Sequence, residues 1–535
     1  MTDDPHAPTP DTASLAFTLD GAGVTVPDDG RSLLDVLRDD LGVRSAKDGC
    51  SPQGQCGCCT VLVDGQPRVA CVTPARRVAG REVTTLDGLD VDRRDRWASA
   101  LCAVGGSQCG FCTPGIVVRL EAHRARTGGL DRTTIDKALA AHLCRCTGWQ
   151  TIVEAALDVS DAADGPAGEG LRGRDVDAAA RRATLEGGAP QRVGPDVALG
   201  AGGFAADTAP DDALVAVPDG AGGWVVAESL SAARQAAGKV QGRRTTVRPA
   251  PPLDVPPGEW LRTLRTSWVD PAYLETDTSW CVPGGTPASP LSNGGAFGGK
   301  VDSPLPEMAR RLADEHGRAV RVVWSREDTV RSGPKRPPIA AGVRADGTGV
   351  VRVARTPGIA ERIAAVAPGF EVVEVDVAGP PTSAAIRGAG WVEAAVLLDA
   401  CAVAADHVAA DHVADVRSPE GARATARWRT DGVVEVHLWC GEILDAVVAR
   451  SYAIGAAHLG ISWVRSEGLA VGPDGEVGDL TVRSFGVLRA ADTPHIEVVI
   501  EPDDGPAVPG SDAVLAAVAA ATWRRDGFVS EWPTH

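Results

Sequence analysis

Ten of the chain's thirteen cysteines fall between Cys50 and Cys146, and eight of them form two four-thiol sets. The first set reads Cys50-x5-Cys56-x2-Cys59, followed by Cys71; the second reads Cys109-x2-Cys112, followed by Cys144-x-Cys146. Four thiolates hold one iron–sulfur cluster, so two sets predict two metal centres and an electron-transfer device. Zinc is the competing occupant. It favours two symmetrical Cys-x2-Cys knuckles. The first set has one such pair, so [2Fe-2S] fits it better; the second set, taken alone, admits either metal. Cys58, between two ligands, is expected to be a bystander. Cys281, Cys401 and Cys440 are scattered, as buried apolar thiols are. The ten histidines show no metal spacing; His407 and His412, five apart, do not share a helix face.

Local signals say what carries these thiols. Alternation at 15–19 and 24–26 around Asp20-Gly21 predicts a hairpin. Ser32 can cap a helix over 33–41 that Gly42 ends. Residues 60–63 and 68–71 around Asp64-Gly65 read as a second hairpin. Cys50, Cys56 and Cys59 then sit on a glycine-rich loop (Gly49, Gly54, Gly57) whose backbone can wrap closely around a cluster. Pro114 suits the first turn of a helix running to about Ala125. That places Cys109 and Cys112 at its positive end, which favours an anionic centre. A second helix, from Thr133 or Thr134 with Ile135, Ala138, Leu139, His142 and Leu143 on its apolar face, is predicted to end at Cys144-Arg145-Cys146.

At 535 residues the chain exceeds one core, so two to four domains are expected. A net charge of −18 argues against nucleic acid. No apolar run is long enough to span a bilayer. Residues 1–5 start acidic, with no signal core or twin-arginine leader. The expected location is cytoplasmic, where clustered thiols bind metal rather than pair.

Two stretches resemble a known family. The run from Lys47-Asp48-Gly49-Cys50 through Gln55-Cys56-Gly57-Cys58-Cys59 to Asp64-Gly65 resembles the first cluster of the molybdenum hydroxylases, the xanthine dehydrogenase and aldehyde oxidoreductase family. Gln108-Cys109-Gly110-Phe111-Cys112-Thr113-Pro114-Gly115 and Leu143-Cys144-Arg145-Cys146-Thr147-Gly148 resemble its second. The resemblance implies two [2Fe-2S] clusters, the helical one nearest a molybdopterin centre and the ferredoxin-like one nearest an external acceptor. Cys146 and Gln108 would touch the cofactor. Further on, Gly294-Gly295-Ala296-Phe297-Gly298-Gly299-Lys300 resembles a loop that packs under the metal, and Arg387-Gly388-Ala389-Gly390 with Glu393 a second cofactor-contacting loop. Pro271-Ala272-Tyr273-Leu274-Glu275 resembles a strand before the first loop, and Asp479-Leu480-Thr481 to Pro494 the stretch near the end.

The fold this implies is α+β and multidomain. A β-grasp ferredoxin-like [2Fe-2S] domain at 1–87 precedes a helical-bundle [2Fe-2S] domain at 88–160. A linker follows at 161–178, then a small reduced part of the molybdopterin subunit at 179–257. A shortened α/β molybdopterin-binding region fills 258–535. No FAD domain is expected, so a separate FAD-binding subunit or soluble carrier would accept the electrons; a homodimer is a further possibility. Implied substrates are aldehydes or N-heterocycles. Two departures stand out. The stretch between Glu275 and Gly294 is short. The family's glutamate base, in a Gly-x-Gly-Glu motif, has no counterpart at 503–513, where Asp512 is a weak candidate for the base and is more readily read as a helix N-cap. Two readings therefore stay open: a molybdopterin-dependent oxidoreductase, or a non-catalytic electron-transfer or scaffold subunit with a degenerate molybdopterin region.

Overall fold

The structure, a computed structural model of the full chain, describes residues 14–161, 170–238, 242, 245, 247–402 and 413–535. Residues 162–169 of the expected linker, and His407 and His412, lie outside the described residues.

The first sheet grows from two tight hairpins. Strands β1 (Ser14–Leu19) and β2 (Ala22–Pro27) turn at Asp20-Gly21, with φ of 49° and 83°. Strands β3 (Thr60–Val63) and β4 (Gln66–Val69) turn at Asp64-Gly65, with φ of 48° and 71°. Two positive φ values in a row suit the right-handed twist of the flanking strands. With β5 (Glu82–Thr84) the order is β2-β1-β5-β3-β4. Ser32 and Asp35 cap each other reciprocally at the start of Leu33–Asp35, but the helix expected over 33–41 widens into a π turn at Val36–Asp40. Leu33, Leu34, Val36 and Leu37 are all buried, so the turn is shaped by what it must bury. The strand expected at 68–71 ends at Val69; Cys71 lies in a 3-10 turn, Ala70–Val72, which brings its sulfur back to the loop.

Four helices follow: Val91–Val104, Thr113–Thr127, Arg132–Leu139 and Gln150–Asp161. The third is capped by Asp131, whose Oδ1 accepts from Thr134 N at 2.7 Å, and it stops at Leu139 rather than at Cys144. Ile135, Ala138 and Leu139 form its buried face, while His142 and Leu143 are buried beyond its end. Cys144 and Cys146 thus sit on the loop between two helices, not on a helix terminus.

The remaining residues build three sheets. Trp224–Ala227, Leu214–Pro218, Val320–Val323 and Thr278–Cys281 form one. Phe370–Val375, Gly349–Ala354, Ile339–Val343, Arg262–Thr266 and Glu531–Trp532 form the second. Ala414–Arg417, Arg423–Trp428, Val434–Trp439 and Ile496–Ile500 form the third. Pro271 to Glu275 is irregular, not a strand: Ala272 takes a positive φ of 58°, and the strand starts at Thr278. The helices Trp391–Cys401, Ala446–Arg465 and Ser511–Arg525 pack into one apolar core with the second and third sheets, while the first sheet packs separately on the helix Leu305–His316. The front core does not close on itself. Phe204, Trp268, Leu274, Phe297 and Phe485 complete it from downstream.

One buried ion pair bolts the halves together. Arg145, between two thiols of the second set, meets Glu467 through paired bonds of 2.5 and 2.7 Å, with side chains 5% and 1% exposed. Its Nε also donates to the Pro271 carbonyl at 3.0 Å. Removing one partner of such a pair strands a charge in the interior, at about 3–5 kcal/mol. Glu467→Gln is expected to lower the urea midpoint by a loss of this size. Arg145→Met combined with Glu467→Leu should recover much of it.

Candidate electron-transfer and cofactor site

The loop from Lys47 to Cys59 carries three thiols of the first set, and Cys71 arrives from the turn after β4. All four are buried. Cys50 shares hydrogen bonding with Cys56 and Cys71, which pulls its thiol well below the ordinary range; Cys71 also reaches Cys59. Backbone amides aim at these sulfurs. Gln53 and Gln55 N–H donate to Cys50 Sγ at 3.2 and 3.5 Å, and Cys71 N–H to Cys59 Sγ at 3.4 Å. Such dipoles stabilise negative charge on sulfur.

The second set stands as two pairs. Cys109 and Cys146 sulfurs are 3.6 Å apart. Cys112 hydrogen bonds to Cys144, which draws the Cys144 thiol down to about 6 against the effect of burial. Cys112 is the N-cap of Thr113–Thr127, with Pro114 in its first turn, so this set lies at the positive end of a helix. Among the described residues, no three His, Cys, Asp or Glu side chains close around one point as a single-ion site requires. Two pairs of thiols suit two irons, each taking two ligands, better than one tetrahedral zinc. The donor chemistry and burial of both sets fit [2Fe-2S] centres.

The loops that carry the two sets are in contact. A Cβ on Gly49 would lie 3.1 Å from Cys56 Sγ, 3.1 Å from Phe111 Cε1 and 3.2 Å from Cys58 Sγ. Phe111 sits between two ligands of the second set, so the sets meet over Gly49. Phe204 holds Phe111 edge-on at 5.1 Å. Leu143 N–H donates to the Cys56 carbonyl at 3.0 Å, tying the two loops. His142 Nε2 lies 3.3 Å from Thr60 Oγ1, and burial holds this histidine neutral, its pKa down at about 3.

Downstream residues press on the second set. Asn293 Nδ2 donates to the Cys109 carbonyl at 2.9 Å. Gly295, with φ of 80°, approaches so closely that a Cβ there would lie 3.1 Å from Cys109 Sγ and 3.7 Å from Cys146 Sγ. Its neighbours Gly294, Ala296, Phe297 and Gly298 line a cleft of about 220 Å³, opposite Arg387, Gly388 and Asp512. The structure therefore brings Ala296, Phe297, Gly298, Arg387 and Gly388 of the expected cofactor residues together, with Gly295 between them and the second set. Arg387 N–H donates to the Phe297 carbonyl at 3.0 Å, and its guanidinium lies 5.4 Å from the Phe297 ring. Its buried Nη2 has no partner among the described residues. A glycine-rich wall with an unspent guanidinium donor fits an anionic, oxygen-rich group such as a pterin phosphate.

Gln108 does not join this cleft. Its Nε2 donates to the Cys146 carbonyl and to Ser451 Oγ, both at 3.0 Å, so its amide hydrogens are spent inside the chain. Asp512 does not cap its helix; Gly510 holds that position, and Asp512 Oδ1 accepts from Arg387 Nε at 2.5 Å. Two carboxylates of the cleft have no sequence signal. Glu186 is fully buried, 2.7 Å from Arg182, and accepts from Gly510 N at 3.1 Å and Ser511 N at 2.9 Å. Glu420 is exposed and has no ion-pair partner among the described residues. Both arrive from segments remote in sequence.

Residues 17–84 match the family described as "2Fe-2S iron-sulfur cluster binding domain", and residues 85–157 the "[2Fe-2S] binding domain". The xanthine dehydrogenase iron-sulfur-binding subunit of Escherichia coli O157:H7 is 42% identical over 132 residues, 24% of this chain and 82% of that protein. The nicotinate dehydrogenase small FeS subunit of Eubacterium barkeri is 35% identical over 125 residues, 23% of this chain and 79% of that one. The aldehyde oxidoreductase of Megalodesulfovibrio gigas is 36% identical over 154 residues, 28% of this chain but only 17% of that enzyme. In fold, the crystal structure of the Desulfovibrio desulfuricans aldehyde oxidoreductase aligns with 96% of this chain and 97% of its own, at a TM-score of 0.69 and 14% identity. Among the described residues no helix is long and apolar enough to cross a membrane. The chain belongs to the molybdenum hydroxylase family and carries that family's two [2Fe-2S]-binding domains.

Proposed function

We propose that this chain is a molybdopterin-dependent oxidoreductase acting on an aldehyde or an N-heterocycle, with electrons leaving the cleft through the second thiol set and then the first. The observation that carries this reading is Gly295: the loop lining the cleft is the loop that touches Cys109 and Cys146. We assign Cys109, Cys112, Cys144 and Cys146 to the inner [2Fe-2S] centre and Cys50, Cys56, Cys59 and Cys71 to the outer one. Phe111, Cys58 and Gly49 hold the loops of the two in contact.

A molybdopterin group in this cleft would supply the two-electron chemistry at its metal. Arg387 would bind its anionic oxygens through Nη2 while Phe297 and Asp512 fix the guanidinium. Gly294, Gly295 and Gly298 keep side chains out of its way. The resemblance to subunits of dehydrogenase complexes supports a separate flavoprotein or soluble carrier as acceptor.

One observation favours the non-catalytic reading. The interior carboxylates are committed: Asp512 to Arg387, and Glu186 to Arg182 and helix amides. A carboxylate tied to a cation is a weak proton acceptor. Among the described carboxylates of the cleft, Glu420 at its mouth is the one left free.

Metal and pterin analysis after expression in a cofactor-competent host separates the two readings. About four irons per chain with stoichiometric molybdenum and pterin are expected. Four irons without molybdenum would leave an electron-transfer subunit. The path makes a second prediction. Gly295→Ala forces a side chain against Cys109 at a positive φ that costs about 1–2 kcal/mol. It should shift the inner centre's low-temperature EPR signal and leave the outer one unchanged; unchanged spectra would count against the path.

A further inference from the structure

Gln191 carries a buried amide beside the cleft with its nitrogen unanswered. The residue is 6% exposed. Tyr452, buried on helix Ala446–Arg465, donates its O–H to Gln191 Oε1 at 2.6 Å. That bond fixes which end of the amide is the acceptor and leaves Nε2 with two hydrogens to give. Nε2 has no partner among the described residues. The backbone around it is held too. Gln191 N–H donates to Thr184 Oγ1 at 3.2 Å, and Arg192 N–H to Asn293 Oδ1 at 2.8 Å. Asn293 is the residue that holds the Cys109 carbonyl.

Two glycines make room for that nitrogen. A Cβ on Gly187 would lie 1.8 Å from Nε2, and a Cβ on Gly294 would lie 2.3 Å from it. Both glycines line the cleft. Gly187 ends the helix Val176–Gly187 without a positive φ, so its backbone does not call for glycine. Glycine there costs the helix about 1 kcal/mol against alanine, and the steric reason for it is the Gln191 amide. A pocket of about 20 Å³ that Gln191 borders with Ser107 and Gln108 has room for one water. Such a water answers one hydrogen of the amide and leaves the other. A buried donor left unanswered costs about 1–3 kcal/mol. Arg387 Nη2 is a second buried donor without a partner, and Arg387 lines the same cleft. Two such donors suit a ligand that presents acceptor atoms at both places.

We infer that Gln191 is a cofactor-binding residue whose Nε2 donates, between Gly187 and Gly294, to an acceptor oxygen or ring nitrogen of the pterin group, and that Tyr452 is the positioning residue that keeps the amide from flipping. The inference rests on the cleft being the molybdopterin site. Gln191 belongs to no motif. It lies more than a hundred positions from Gly294 and more than two hundred and fifty from Tyr452.

The test uses the full chain loaded in a cofactor-competent host. Free pterin is separated by ultrafiltration over time and read by its fluorescence after oxidation. Gln191→Glu keeps the volume and still accepts from Tyr452, but puts an oxygen where the donor stood. It should release pterin about tenfold faster than the unsubstituted chain, or more, as the loss of a hydrogen bond to a charged acceptor does. Taken relative to the unsubstituted chain at the same pH, that release should slow between about pH 8 and about pH 5, because a protonated carboxyl is again a donor. Tyr452→Phe should give a smaller rise, about threefold. Iron content and both EPR signals should be unchanged in the two variants. Release at the unsubstituted rate from Gln191→Glu overturns the inference and assigns the amide to an ordered water only. A faster release that low pH does not relieve also overturns it, because the substitution then disrupts the wall and removes no specific donor. Loss of iron together with pterin overturns it as well, since Gln191 then holds the second thiol set. An unsubstituted chain with its iron and no pterin defeats the reading of the cleft itself, and is seen before any variant is compared.

Discussion

The rest of this molecule depends on the second thiol set being clamped by residues more than a hundred positions away. Loops of the front helical domain supply the sulfurs. Asn293, Ser451 and Glu467 supply the polar bonds that fix Cys109, Gln108 and Arg145. The helix Ala446–Arg465 comes so close that a Cβ on Gly455 would lie 1.8 Å from the Cys146 carbonyl oxygen. Buried backbone and guanidinium groups cannot be left without partners. A front domain separated from these residues would expose Arg145 and an apolar core that Phe204, Trp268 and Phe297 now close. Cluster binding and the fold of the downstream region are therefore one structural problem.

The same clamp sets the geometry of the cleft. Gly295 is positioned by the sulfurs it touches, and its neighbours are positioned with it. Arg387, pinned by Asp512 and by the Phe297 ring, faces the same space with one donor unspent. Glu186 satisfies the amides at the start of the last helix, where a bound anion could otherwise sit. The cleft thus keeps the features that bind an anion while answering its inner carboxylates with its own cations. That combination is why the cofactor and the proton acceptor are separate questions here.

Much of the front was legible because its determinants are local. The thiol spacings, the Asp-Gly turns, the reciprocal cap at Ser32 and the proline after Cys112 each act within a few residues. The misreadings occur where tertiary packing decides. Apolar periodicity through His142 and Leu143 suggested a longer helix, but both residues are buried by the first loop rather than by a helix face. The stretch at Pro271 resembled a strand but bends at Ala272. Gln108, expected at the cofactor, donates to Ser451, a contact across 343 positions that no local signal announces. Glu186 and Glu420 carry no motif, and only folding brings them to the cleft.

Two iron–sulfur centres are held by loops that meet over Gly49, one of them against the cleft wall. Low-temperature EPR of the fully reduced chain tests this arrangement most directly. The account predicts two distinct [2Fe-2S] signals with mutual magnetic splitting; in the Cys112→Ser protein the inner signal and the splitting disappear while the outer signal remains. A single signal, two signals that do not split one another, or zinc in place of iron would contradict it.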